Sequence, residues 1–273
     1  MSAKTNKKRF SMIDKKGFLL ESIIKAYILN LEPIGSSQLK QMYDLEYSSA
    51  TIRGYFKKLG DEGFLIQEHV SSGRIPSIEA LKNYWALNLD FSKEAIDYQL
   101  LQRYAKIFGL SVALKQDLDS ILVEVLDINR NYIFLRFQDF GITIKYTNAI
   151  YKFLQDMIGL DVEQLLSVAR QVGASELYGE LSNKLHYSSY EIINVKEYLS
   201  LALSYDISDG VVSSFLNGTI FDTLKDGLYF ENLLPSGHMG ICSTSKINGK
   251  NTKMLVMGNL TKDYINFYER IAA

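Results

Sequence analysis

Hydroxyl groups and cations lie close together on one predicted helix near the start of the chain. The segment YSSATIRGYFKKLG opens with Ser48 and Ser49, which can accept hydrogen bonds from the first N–H groups of a helix. Arg53 follows one turn later, and a guanidinium can pair in a bidentate way with a guanine edge or a phosphate. The segment therefore predicts a helix end that contacts the DNA backbone and reads bases in a groove.

The same helix carries an apolar stripe on its other side. Ile52, Phe56 and Leu59 recur at helical spacing and predict the face that is buried. Ala50 and Gly54 keep the opposite face thin enough to enter a groove. An alternative for the two arginines is a salt bridge to a neighbouring acidic side chain. The residues that we expect to contact DNA are Ser48, Ser49, Thr51, Arg53, Tyr55, Lys57, Lys58, Ser72 and Arg74.

Two further helices and a β-ribbon would be needed to position this helix. Apolar spacing predicts a helix over Gly17–Leu31 that stops at Pro33, and then a short helix capped by Ser36 or Ser37. Leu39 and Met42 would face inward on the short helix. Gly60 and Gly63 would end the third helix. A strand over 64–70, a tip at Ser71–Arg74 and a helix capped by Ser77 complete the expected order, which is typical of a winged helix-turn-helix domain.

Charge is distributed unevenly along the chain. The first 60 residues carry eleven Lys or Arg against five Asp or Glu, although the whole chain of 273 residues has a net charge of −1. A basic start followed by an acidic remainder favours a polyanionic partner for the first part. Lys4, Lys7, Lys8 and Arg9 could instead be a basic tail without a partner.

The later part of the chain alternates between helix and strand patterns. Ser92–Phe108 reads as a helix with Ile96, Leu100, Tyr104 and Ile107 on one side. Asn248-Gly249 is a strong signal for a type I′ hairpin. The other expected elements are strands at 131–137, 141–146, 240–245 and 253–257, helices at 160–172, 175–185, 191–203 and 263–271, and an apolar segment at 121–126 that could be either.

Composition and motifs favour a binding protein over an enzyme. His69, His186 and His238 are scattered, no Cys/His cluster has metal-ligand spacing, and no phosphate-binding glycine loop or nucleophile motif occurs. We therefore expect no catalytic residue, metal or cofactor. The lone cysteine, Cys242, reads as a small buried apolar residue and suits a reducing cytoplasm. The sequence also lacks an apolar run of the length that spans a membrane.

Three early segments, PIGSSQL, SSATIR and HVSSGRIPS, resemble the winged-helix part of the HrcA-type heat-inducible transcription repressors. Gly54 and Tyr55 stand where that family usually has Asn-Asp. Later segments such as GITIKYTNAIYKFL and GNLTKDYINFYERI are also similar to the family. The resemblance implies an α+β protein: an N-terminal winged helix-turn-helix domain followed by a GAF-like α+β domain with a dimerisation insert.

The resemblance also implies a function. Such a protein would bind double-stranded DNA at an inverted-repeat operator of chaperone operons as a homodimer, would be released on heating, and would be modulated by a chaperonin. The expected divisions are a DNA-binding domain at 1–90, a helical linker at 91–115 and a body with the dimerising insert at 116–273. A second interpretation is a regulator whose GAF-like body responds to a small molecule.

Overall fold

A computed structural model describes residues 15–69, 72–116, 120–188, 190–231 and 233–273. Within these ranges the chain combines helices with β-sheets in an α+β arrangement, as the sequence predicts. The basic residues Lys4, Lys7, Lys8 and Arg9 lie outside the described residues, as do Val70 and Ser71 of the expected ribbon. None of the helices in the described ranges has the length and apolar character to cross a bilayer.

The first five elements, which we call the head (residues 15–76), surround one apolar core. Ile52, Phe56 and Leu59 are buried there, as their spacing predicts, together with Leu19 and Ile23 of the first helix. The two short strands pair antiparallel, with Leu65 opposite Pro76. The elements are α1 Lys15–Asn30, α2 Ser36–Met42, α3 Ser49–Asp61, β1 Leu65–Ile66 and β2 Ile75–Pro76.

Several predicted details of the head are wrong. Gly35, rather than a serine, occupies the N-cap position of α2. Met42 is exposed because it is the last residue of that short helix, beyond the turn whose Leu39 is buried. Leu31 is exposed because the chain leaves α1 there with a left-handed φ of 54°. Gly60 lies inside α3, and only Gly63, with φ of 81°, marks its end.

Helix α4, Ile78–Asn88, joins the head to the rest of the chain. The Ser77 hydroxyl accepts a hydrogen bond from the Ala80 amide at 3.2 Å, which confirms the predicted cap. The Trp85 indole N–H donates to the Leu260 carbonyl at 2.7 Å, and Lys82 forms an ion pair with Glu231. The head therefore packs directly on the elements that follow.

The segment predicted as a helical linker, 91–115, is part of the main sheet and its packing. Ala95 and Ile96 pair with strand residues near 247, so the helix begins at Tyr98 with Asp97 as its cap instead of Ser92. Leu101 and Ala105 form its buried face, whereas the predicted Ile107 is exposed. The position of the domain boundary remains a prediction. The elements are β3 Ala95–Ile96, α5 Tyr98–Phe108 and β4 Ser111–Gln116.

Residues 120–188, which we call the insert, form a separate layer of sheet and helices. A three-stranded antiparallel sheet packs one face on three helices, and Leu135, Leu154 and Leu165 lie in the shared core. The ambiguous segment at 121–126 is a strand. The elements are β5 Leu122–Ile128, β6 Tyr132–Phe137, β7 Gly141–Lys145, α6 Asn148–Gln155, α7 Val162–Gln171 and α8 Ser175–Ser188.

After the insert, the chain returns to the sheet that it left. The stretch predicted as one helix at 191–203 begins as a strand, because Val112 and Ile193 pair in the sheet before the helix starts at Val195. Asn248 and Gly249 both have positive φ, which confirms the hairpin turn. The elements are β8 Tyr190–Ile193, α9 Val195–Ser204, α10 Asp209–Leu216, a 3-10 helix at Thr219–Asp222, β9 Gly227–Phe230, β10 His238–Ile247, β11 Lys250–Asn259 and α11 Tyr264–Ile271.

The body (residues 95–116 and 190–273) is built on a six-stranded sheet with the order β3-β10-β11-β4-β8, and β9 also pairs with β10. Side chains alternate between its two buried faces. Met254 and Val256 of β11 face α4, α5 and α11, whereas Leu255 and Met257 face α9 and α10. Because β4 and β8 are adjacent antiparallel strands, the insert leaves and re-enters the sheet at neighbouring positions.

Candidate nucleic-acid interface

The start of α3 is held by hydroxyl groups. The Ser48 hydroxyl accepts a hydrogen bond from the Thr51 amide at 3.1 Å and lies 2.9 Å from the Thr51 hydroxyl. The Ser37 hydroxyl donates to Ser49 at 3.3 Å, which ties α2 to α3. Because the first N–H groups of a helix carry partial positive charge, this end of α3 suits contact with a phosphate.

Arg53 and Arg74 come from distant parts of the sequence and line the same cavity. The cavity has a volume of about 430 Å³ and lies between α3 and the ribbon. Among the described residues, neither guanidinium forms an ion pair with an acidic side chain. The alternative of a salt bridge to a neighbour is therefore wrong within that part of the chain. Two cations facing one open cavity create a site for an anion.

Backbone pairing fixes the position of Arg74. The Ile34 amide donates to the Arg74 carbonyl at 2.9 Å, and the Arg74 amide donates to the Ile34 carbonyl at 2.9 Å. Gly73 permits this approach, because a Cβ atom there would lie 2.5 Å from the Ile34 carbonyl carbon. The Ser72 hydroxyl next to Gly73 donates a hydrogen bond to the His69 carbonyl at 2.8 Å.

The other predicted contact residues occupy different surroundings. Thr51, Arg53 and Lys57 are exposed, whereas Tyr55 is half-buried and packs against the head core. The Lys58 ammonium lies 5.7 Å from the centre of the Tyr55 ring. Tyr55 thus supports a lysine near the C-terminal end of α3.

Two residues near the arginines were missed by sequence reasoning. Ser36 and Gln67 line the same cavity as Arg53 and Arg74. The Gln67 side-chain amide donates to the Ser72 carbonyl at 3.3 Å. No local pattern identifies either residue, because the Ile34–Arg74 pairing brings them together in space.

Potential metal ligands are not clustered in the described ranges, and the cysteine of the chain is buried. No three His, Cys, Asp or Glu side chains within them lie close enough to share a metal ion. Cys242 is fully buried, as predicted, and burial raises the pKa of its thiol to about 11. A thiol with that pKa is almost entirely protonated at neutral pH and is therefore a weak nucleophile.

Comparison with known proteins identifies the family. The model of the HrcA C-terminal domain matches residues 85–273. Curated proteins named heat-inducible transcription repressor HrcA from two strains of Helicobacter pylori are 31% identical over 267 residues, covering 96% of this chain and 96% of each relative. The chain belongs to the HrcA family. An HrcA relative from Alkaliphilus metalliredigens is 32% identical over 178 residues, which are 58% of this chain and 52% of that protein.

A solved structure shares the fold of this HrcA-family chain. It is the 2.2 Å crystal structure of a hypothetical protein, with a TM-score of 0.54, and the match covers 94% of both chains. Its sequence identity of 17% is low, so the likeness shows similarity of fold alone. The match spans the head, the insert and the body of the chain.

Replacing a glycine by alanine should have opposite effects on stability at two positions of the interface. Gly73→Ala places its Cβ against the Ile34 backbone, so we expect it to destabilise the head by about 1–3 kcal/mol. Gly54 is exposed in α3 with no atom near its Cβ position, so Gly54→Ala should stabilise the helix by about 0.5–1 kcal/mol. Chemical denaturation followed by circular dichroism measures both changes. Equal stabilities of the two variants would contradict the close contact at Gly73.

Proposed function

We propose that the chain is a heat-inducible transcriptional repressor that binds double-stranded DNA at an inverted-repeat operator as a homodimer. The observation that carries this proposal is the pair of arginines, Arg53 and Arg74, which face one cavity without acidic partners among the described residues. Membership of the HrcA family supports the same function.

In this proposal the head is a winged helix and α3 is its recognition helix. The exposed face of α3 enters the major groove, while Arg74 on the ribbon reaches a phosphate or the adjacent minor groove. Ser48, Ser49, Thr51 and Ser72 provide short polar contacts to the backbone. Lys57 and Lys58 neutralise phosphates near the other end of the helix. The body is a GAF-like domain that holds two heads at the spacing of the operator half-sites.

Arginine substitutions test the DNA-binding face. Arg53→Ala and Arg74→Ala should each weaken binding to a chaperone-promoter inverted repeat by about 1–3 kcal/mol, because each removes a charged contact. Arg103→Ala, on the exposed side of α5, is the matched control and should leave affinity unchanged. Electrophoretic mobility shift at fixed salt against scrambled competitor measures the change. If both variants fold and bind as tightly as the control, the proposed interface is wrong.

The outer face of the insert sheet is our candidate for the dimer contact. Leu126 pairs with Phe134, and Ile128 pairs with Tyr132, so all four side chains lie on the face away from the insert helices. Leu126, Ile128 and Tyr132 are exposed, which is unusual for neighbouring large apolar residues. Two copies of this face brought together by a two-fold axis would bury it and match the symmetry of an inverted repeat.

A charge on this face should prevent dimerisation. Leu126→Asp introduces a carboxylate into the proposed contact, and we expect it to weaken the dimer at least tenfold, or by ~1.4 kcal/mol or more. Leu203→Asp is the control, because Leu203 is also an exposed leucine but lies on α9. Sedimentation equilibrium over a range of concentrations measures both. A monomeric control together with a dimeric Leu126→Asp variant would place the contact on the body.

Release on heating requires a body of low stability. Buried hydroxyl groups without hydrogen-bond partners would lower its stability. Ser111, Tyr198 and Ser245 have hydroxyl oxygens that are buried without a hydrogen-bond partner among the described residues. An unsatisfied buried polar group costs about 1–3 kcal/mol. Since a loss of 1–2 kcal/mol changes the unfolded fraction severalfold, such costs favour unfolding at a moderate temperature. In our proposal a chaperonin returns the unfolded repressor to its DNA-binding state.

Removal of one buried hydroxyl should raise the temperature of release. Ser245→Ala should stabilise the body by ~1 kcal/mol and move the loss of operator binding to a higher temperature. The control, Ser92→Ala, removes an exposed hydroxyl and should change neither. Calorimetry measures unfolding, and mobility shift after graded heating, with and without added chaperonin, measures release and recovery. A stabilised variant that is released at the original temperature would show that unfolding does not cause release.

A further inference from the structure

A second cavity lies in the body, on the side of the sheet that faces α9. Its volume is about 230 Å³. One face of α9 forms a wall of the cavity, and the ends of β4, β10 and β11 form its floor. The DNA-binding proposal assigns it no role. Its lining includes Ser111, Tyr198, Leu201, His238, Met257 and Lys262.

Two residues of the cavity wall have unsatisfied hydroxyl groups. Ser111 and Tyr198 are each only 1% exposed, and neither hydroxyl has a partner among the described residues. Ser111 pairs with Met257 in the sheet and lies on the same face as Ala113, which packs towards α9. Buried hydroxyls in native proteins are nearly always hydrogen-bonded. Because both oxygens have almost no accessible area, a side-chain rotation must turn them towards the cavity before a bound polar partner can satisfy them.

A cation also reaches the cavity. The Lys262 side chain lines it and forms no ion pair with an acidic group of the described chain. Its ammonium lies over Gly109, where a Cβ atom would be 2.9 Å from the nitrogen. Gly109 thus leaves room for the charge. Glu197, the acidic residue of the wall, is exposed on α9.

His238 supplies a hydrogen-bond acceptor. Burial lowers the pKa of its imidazole, so the ring is neutral at pH 7. Nδ1 lies 3.3 Å from the Ser236 carbonyl oxygen, which assigns the ring proton to Nδ1. Nε2 then carries a lone pair that can accept a hydrogen bond from a hydroxyl group.

We propose that this cavity binds a small hydroxycarboxylate with an apolar body. The carboxylate pairs with the Lys262 ammonium, and the ligand hydroxyl donates to Nε2 of His238. The hydroxyls of Ser111 and Tyr198 donate to the remaining carboxylate lone pairs after small side-chain rotations. The apolar body of the ligand packs against Leu201 and Met257.

The size and charge of the cavity decide against other ligands. Pockets for drug-sized molecules have volumes of about 300–1,000 Å³, so this smaller cavity excludes a nucleotide. A phosphate group is usually held by several cations or backbone N–H groups, whereas this wall offers one lysine. A dicarboxylate would place its second charge near Glu197. A monocarboxylate is the ligand that satisfies the groups present.

A hydrogen bond joins the loop beside the cavity to α4, the helix that follows the head. Asn259, the last residue of β11, and Lys262, in the loop that follows, line the cavity. The carbonyl of Leu260 between them accepts the Trp85 indole N–H. Trp85 lies on α4, which follows the ribbon of the head. A ligand that moves Lys262 would therefore move Trp85 and α4. An effect on operator affinity is the part of this inference that rests on the proposed function.

The site itself can be tested without DNA, using 3-phenyllactate as the probe. Calorimetric titration should give one ligand per chain, and fluorescence of Trp85, the only tryptophan, should change in parallel. Lys262→Gln should weaken binding about 10–100-fold, because it removes a charge-assisted hydrogen bond. Lys246→Gln is the matched control. Lys246 is an exposed lysine near the end of β10, whereas His238 of the cavity is the first residue of that strand. Circular dichroism confirms that both variants are folded.

Two matched ligands test the chemistry that we assign. Phenylpropionate lacks the hydroxyl group, and the methyl ester of phenyllactate lacks the charge, so both should bind at least tenfold more weakly. Absence of binding by phenyllactate and by 2-hydroxyisocaproate would overturn the proposal. Equal binding to the Lys262→Gln variant, or stronger binding of inorganic phosphate, would overturn it as well.

Mobility shift with and without phenyllactate then separates the site from its coupling to the head. Binding that changes operator affinity supports both. Binding without such a change would support the ligand site and contradict the coupling to the head through Trp85. Loss of operator binding in every condition, together with intact calorimetric binding, would instead contradict the proposed function.

Discussion

The strand pair β10–β11 must be covered on both faces, and the rest of the structure depends on this constraint. Met254 and Val256 point to one side, and Leu255 and Met257 point to the other, so neither face can be left to solvent. Helices α4, α5 and α11 cover the first face, and α9 and α10 cover the second. The insert can be accommodated because it begins and ends at β4 and β8, away from this pair.

The packing that covers the first face of the sheet also holds the head in position. Ile24 of α1 is buried in the same core as Trp85 and Tyr264, while Ile23, one residue earlier, is buried in the head core. Since α1 contributes side chains to both cores, a loss of packing in the body would also weaken the packing of the head. The Trp85–Leu260 hydrogen bond adds a directional contact at the same junction. The head and the body are thus joined by packing and not by a free linker.

The local part of this arrangement could be predicted from the sequence, and the long-range part could not. The spacing of Ile52, Phe56 and Leu59 predicts the buried side of α3, and Asn248-Gly249 predicts the hairpin turn. The strand at Ala95–Ile96 is different, because its partner lies about 150 residues away and no local pattern reveals it. The closeness of Arg53 and Arg74 likewise depends on the pairing of Arg74 with Ile34, which is a tertiary contact.

Two cavities of the structure contain polar or charged groups that have no partner among the described residues. Arg53 and Arg74 line one cavity without acidic partners among the described residues, and Ser111 and Tyr198 bury hydroxyls without partners beside the other. A sequence optimised for stability alone would replace such groups, so their presence at two separate cavities favours a role in binding. Gly54 follows the same logic, since alanine there would improve the helix and thicken the face that we assign to DNA. In this protein the same groups can therefore cost stability and serve binding.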